Sequence, residues 1–198
     1  MRRFIIGHVQ SDLDRRLASV SVIVDRAHYE RVTLAMARAR ISVWISTANV
    51  KQLLVQAPMG TRDRARGRYI PIVDTFVDLV QRGVYVRLLH AAPPSGPFAR
   101  ELSARADLLK GARFEMRMCP RVHMKLVAID GAFLYLGSAN LTGAGIGAKS
   151  ERRRNFELGI VTDDDYLLDV AQERFDRIWR GSHCAGCGIR AKCPKPIA

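Results

Sequence analysis

Asp130-Gly131, set between two apolar runs, constrains this chain more than any other dipeptide in it. Residues 122–129 alternate His and Lys with Met, Leu and Val, residues 132–138 are again apolar, and an Asp-Gly pair between such runs is a strong signal for a tight β-hairpin. With Asp130 and Gly131 as the turn, Ile129 is expected to face Ala132, Lys125 to face Leu136 and His123 to face Ser138. Side chains alternate with period two, so His123, Lys125, Ser138 and Asn140 are expected on one face, towards the open end of the hairpin.

That set of groups suits a phosphodiester. Lys125 supplies a compact ammonium for a non-bridging oxygen, while Ser138 and Asn140 supply neutral donors. His123 is able to attack phosphorus or move a proton near neutral pH, with no metal required. An in-line displacement also needs an acid on the leaving oxygen, at the opposite side of phosphorus, so a second histidine is required.

The run His123-x-Lys125, four residues, Asp130, six residues, Gly137-Ser138-x-Asn140 resembles the HKD signature of the phospholipase D superfamily, with every position filled. The resemblance implies that His123 is the nucleophile or its acid twin, that Lys125 and Asn140 bind phosphate, and that Ser138 is a supporting hydroxyl. It implies a structural or assisting role for Asp130. Asn155-Phe156-Glu157, at the start of the strand-like stretch FELGIVT, is similar to the segment in which the family carries a carboxylate that orients the catalytic histidine, which implicates Glu157. Larger members carry the run twice; here it occurs once. His8, His28 and His90 lack a Lys two residues on, and His183 is followed by Cys184 and Ala185. The missing histidine is then supplied by symmetry, in a homodimer with one composite site shared by two copies of His123, as in the small dimeric nucleases that this chain resembles.

With 198 residues, of which 48% are hydrophobic, the chain buries one substantial α/β core with a short appendage. Strands are expected over 19–24, 41–47, 84–90, 113–118 and 156–162, and helices over 27–39, 69–82, 98–109 and 166–179. This order resembles the superfamily's α/β/α sandwich with a central mixed β-sheet. Three segments follow: 1–18, an N-terminal arm or short helix; 19–180, the catalytic domain; and 181–198, a Cys/His-rich tail. No apolar run approaches the length of a membrane span, so no membrane insertion and a cytoplasmic, soluble protein are expected.

Lys plus Arg total 32 against 19 Asp plus Glu, for a net charge of +13, and a polyanion is the natural partner. The Gly-rich segment 142–154 follows Asn140 directly and ends in Glu-Arg-Arg-Arg, so Arg152, Arg153 and Arg154 join Lys125 and Asn140 as candidate substrate-binding residues. The reading is a nuclease acting on DNA or RNA. Phospholipid hydrolysis or transphosphatidylation is the enzymatic alternative, since the same motif serves both substrates. A nuclease subunit dependent on a helicase or specificity partner is the other.

The tail reads His183-Cys184-x-x-Cys187, then Cys193-Pro194. This spacing points to metal before disulfide. Structural zinc on His183, Cys184, Cys187 and Cys193 is the simplest site, with Cys119 as the alternative fourth ligand. The CxxC-x5-C-Pro pattern is also similar to the C-terminal clasp of nucleases that hold an iron-sulfur cluster with a distant cysteine, so that cofactor stays as the alternative.

Overall fold

The structure, a computed structural model, describes residues 17–198. The arm expected over residues 1–18 therefore lies, but for its last two residues, outside the described residues. Among the described residues nine strands appear in chain order: β1 (Ser21–Val24), β2 (Ser42–Thr47), β3 (Leu54–Gln56), β4 (Tyr69–Pro71), β5 (Tyr85–His90), β6 (Phe114–Met118), β7 (Leu126–Ile129), β8 (Phe133–Gly137) and β9 (Leu158–Thr162). The helices are α1 (Arg26–His28), continued through a π-helical turn (Tyr29–Thr33) into α2 (Leu34–Ala37), then α3 (Arg62–Ala65), α4 (Ile72–Gln81), α5 (Gly96–Ser103), α6 (Ala106–Lys110) and α7 (Asp165–Trp179).

Seven strands form one mixed sheet in the order β1-β9-β8-β7-β2-β5-β6. β2, β5 and β6 run parallel, joined by crossovers that carry α4, then α5 and α6. The remaining neighbours are antiparallel. Parallel strands need long connections whereas hairpins do not, which is why helices gather along one half of the sheet.

Two cores fill the two sides. On one face Val43, Ile45, Val86, Leu88, Val127 and Ile129 pack with Val32, Met36 and the α4 stripe Ile72, Val73, Phe76 and Leu79. On the other, Leu89, Leu126, Ala128 and Leu134 pack against Leu168, Ala171, Phe175 and Trp179 of α7. The expected α/β/α sandwich with a central mixed sheet is the fold observed.

Two helical segments differ from expectation for local reasons. Residues 69–71 do not begin a helix; they pair antiparallel with β3. A residue preceding proline is driven extended, so Ile70 favours strand, and α4 starts only after Pro71. The segment expected as one helix over 98–109 is broken at Arg105 (φ −117°, ψ 51°), whose Nε donates to Asp74 Oδ1 of α4 at 2.7 Å. Among the described residues no helix is long and apolar enough to cross a membrane.

Candidate active site

Asp130 (φ 55°) and Gly131 (φ 65°) take the left-handed conformations of a two-residue turn, closed by Ala132 N–H donating to Ile129 O at 2.9 Å. The register beyond it differs from the expected one. Ile129 pairs with Phe133 rather than Ala132, so Ala132 is an extra residue and each later pair moves by one. Leu126 meets Leu136, and Lys125 O accepts from Gly137 N–H at 3.1 Å. The shift separates Lys125, which shares the parity of Val127, from Ser138, which shares that of Leu136. His123, Lys125, Ser138 and Asn140 therefore do not occupy one face of a continuous hairpin. They lie past the ends of β7 and β8, at the rim formed with the end of β2 and the start of β9.

The cause lies in the other duties of Asp130. Its Oδ2 accepts from Arg40 N–H, and its Oδ1 from Ile41 and Ser42 N–H, each at 2.8 Å. Its own N–H donates to Ser42 O at 3.0 Å. The turn is thus tied to the entry of β2, and the carboxylate serves the backbone of that entry.

Two pairs and one anchor make up the rim. Lys125 Nζ donates to His123 O at 2.9 Å and stands 3.2 Å from His123 Nε2 and 3.3 Å from Nδ1. His123 is exposed and Lys125 half-buried. Ser138 Oγ donates to Glu157 Oε2 in a short hydrogen bond and accepts from Leu158 N–H at 3.1 Å. Asn155 Nδ2 donates to Glu157 Oε1 at 3.0 Å. The hydrogen bonds of Glu157 thus go to Ser138 and Asn155 rather than to the His123 ring. Asn140 Oδ1 accepts from Ala48 N–H at 3.0 Å and Asn49 N–H at 3.2 Å. Its carbonyl end is thus committed to backbone donors, and Nδ2 is the end of the amide that can donate.

Arg152 and Arg153 are exposed on a 3-10 turn (Glu151–Arg153), whereas Arg154 is drawn inward and faces Glu151 at 3.7 Å. The first two reach solvent, whereas the third is partly buried.

Sequence reasoning missed the groups that hold the rim. Thr47 Oγ1 accepts from Leu141 N–H at 3.0 Å and lies 3.2 Å from Asn140 Oδ1. Asp25, at φ 43°, accepts from Glu157 N–H at 3.0 Å through Oδ1 and donates its own N–H to Glu157 O at 3.0 Å. Tyr135, 1% exposed, accepts from Ala139 N–H at 3.1 Å through its hydroxyl. Burial pushes that hydroxyl up to about 12; the Ala139 bond opposes the shift and the nearby Glu157 charge adds to it. Room for this ring explains two glycines. A Cβ on Gly137 would stand 2.5 Å from Tyr135 Oη, and one on Gly159, its cross-strand partner, 2.6 Å from Tyr135 Cε2. None of these contacts has a local signature, because each joins segments far apart in the chain.

With this fold and rim in view, the chain belongs to the family described as cardiolipin synthase, PLD-like domain, which it matches over residues 32–179. It is a member of the phospholipase D superfamily. NucT from Helicobacter pylori is similar in structure, with a TM-score of 0.57 and 16% identity over 81% of this chain and 95% of that one. Nuc from Salmonella typhimurium, a phospholipase D family member, has a TM-score of 0.54 and 19% identity over 83% and 95% of the two chains. Phosphatidylserine synthase from Haemophilus influenzae has a TM-score of 0.52 and 14% identity over 83% of this chain but 39% of that one. Among curated proteins none matches the sequence.

Proposed function

We propose that this protein is a homodimeric nuclease that hydrolyses DNA or RNA phosphodiesters through a phosphohistidine, without a catalytic metal. The observation that carries the reading is the rim itself. An exposed His123 stands against the Lys125 ammonium, at the same end of the sheet as Asn140, whose Nδ2 can donate. His123 of one subunit attacks phosphorus, forming an N–P bond as the bridging P–O bond breaks; the partner's His123 protonates the leaving oxygen. Water then attacks phosphorus, giving its proton to the partner's His123, and the N–P bond breaks. Lys125 and Asn140 bind the non-bridging oxygens, whose charge grows in each displacement. Ser138 and Glu157 position the start of β9 beside the rim.

The second copy has a surface to dock on. Antiparallel pairing puts Val22 opposite Ile160 and Val24 opposite Leu158, so these four side chains share one sheet face. α7 leaves this part of the sheet open: Val22, Val24 and Leu158 are 66%, 54% and 61% exposed. Leu158 bonds Ser138 through both its N–H and its C=O, so the apolar face runs directly into the site. A site short of one histidine, bordered by an open apolar face, fits a two-fold partner.

Two size-matched likenesses, NucT and Nuc, and the net charge of +13 favour nucleic acid over phospholipid. The test incubates the full chain and His123→Ala with single- and double-stranded DNA, RNA and phosphatidylcholine vesicles, with sedimentation run in parallel. Nucleic-acid cleavage by a dimer, abolished in the variant, is expected. Lipid turnover without nucleic-acid cleavage, or an active monomer, would overturn the reading. Silence on every substrate would pass the role to a subunit that needs a helicase or specificity partner.

A further inference from the structure

The four cysteines of the chain, three in the tail and one in the body, line one cavity of about 30 Å³. Cys184 and Cys187 sit on successive turns in which Cys187 N–H donates to Cys184 O, Arg190 N–H to Cys187 O and Cys193 N–H to Arg190 O, at 3.3, 3.0 and 3.1 Å. Cys184, Cys187 and Cys193 all line this cavity and so share an aspect of the tail. Cys119 meets them from another part of the fold. It follows β6, its N–H donates to His90 O at 2.9 Å, and its O accepts from Val122 N–H at 2.9 Å.

We propose that Cys119, Cys184, Cys187 and Cys193 bind one zinc ion as four thiolates, clasping the tail onto the turn that leads into His123. Four thiols release four protons on binding, leaving a site of net charge −2, the closed tetrahedral sulfur set that zinc adopts in structural sites. Arg121, Arg190 and Lys195 line the same cavity and offset that charge.

The fourth ligand is Cys119 rather than His183. His183 lines the adjoining cavity, which Cys119, Cys184 and Cys187 also reach but Cys193 does not, and its Nε2 stands 3.2 Å from Arg174 Nη1; the cavity that all four cysteines line does not include it. No three of the His, Cys, Asp or Glu side chains among the described residues stand in ligating geometry, and Cys187 Sγ is turned towards Arg121 Nη1 at 3.5 Å. Each sulfur turns on a single side-chain torsion, and the proposal requires the four thiols to turn towards one another in the cavity that they line.

The test is metal content, measured on the full chain purified under reducing conditions and independent of any nuclease assay. One zinc per chain is expected in the parent and in His183→Ala, with at least tenfold less in Cys119→Ser and in Cys193→Ser. Cobalt substitution reports ligand type through its sulfur charge-transfer bands, expected in the parent and undiminished in His183→Ala. Absence of zinc from the parent, zinc lost in His183→Ala but kept in Cys119→Ser, or iron with inorganic sulfide and broad visible absorbance would each overturn the proposal.

Discussion

The rim that carries His123 and the tail that carries Cys184 meet at the same end of the molecule, yet they are held in opposite ways. The rim is fixed from the core outward. Asn140 takes two backbone N–H groups from the exit of β2, and at the opposite end of the same hairpin Asp130 gathers three more from its entry, so the strands that carry the rim are tied to β2 at both ends. The backbone bonds of the tail from Cys184 to Cys193 are short local turns. Its side-chain ties to the body include one contact each from Arg121 and Arg174. Folding alone orders the first region, whereas under the zinc proposal the second gains order from what its thiols bind.

The largest expected effect falls on chemistry. His123→Ala should lower phosphodiester turnover by about 10³-fold or more with unchanged stability, because the exposed ring supports no core contact. A large fall in melting temperature would mean that the ring is part of the scaffold after all. Asp130→Ala should have the complementary signature, a loss of about 3 kcal/mol by urea unfolding, since three backbone donors lose a charged acceptor at once. If unfolding is unchanged, the hairpin turn is not pinned from β2.

Tyr135 supplies a pH test of the same scaffold. Its folded value of about 12 lies above the ordinary tyrosine value of 10.0, so its contribution is complete below pH 10 and is lost as pH rises towards 12. This span corresponds to about 2–3 kcal/mol. Tyr135→Phe should cost about 1 kcal/mol near neutrality, through the Ala139 bond, and flatten the alkaline loss. An unaltered alkaline profile would show that another group governs it.

Chelation divides the two regions most directly. It should speed amide exchange at Cys187 and Cys193 while leaving Ile41 and Ser42, which donate to Asp130, as protected as before. The smallest effect is expected at the polyanion contacts. Arg152→Ala and Arg153→Ala should each reduce the salt slope of nucleic-acid binding by about one, with little change in turnover at saturation. A slope unchanged in both variants would remove these residues from the interface.

Much of this molecule was legible along the chain. The alternation of apolar residues, the Asp130-Gly131 turn and the stripe on α7 are all local, and spacing within a strand or helix is enough to reveal them. So were the rim residues as types, because the chemistry of phosphate demands a cation, donors and an imidazole. The ladder register was not. One extra residue at Ala132 reverses the parity of everything beyond it, and that residue is set by Asp130 reaching across to β2.

The tail divides in the same way. Three cysteines at metal-ligand spacing are legible in residues 184–193 as a set of candidate ligands, and the structure has all three line one cavity. Which fourth group faces them, the adjacent His183 or Cys119 some 65 positions away, is a question of where the tail lies on the body. The tertiary structure bears on it by packing the tail against the turn after β6, which brings Cys119 to the cavity that the three tail cysteines line. Sequence thus determined the chemical groups and their local order; long-range contacts decided which of those groups meet.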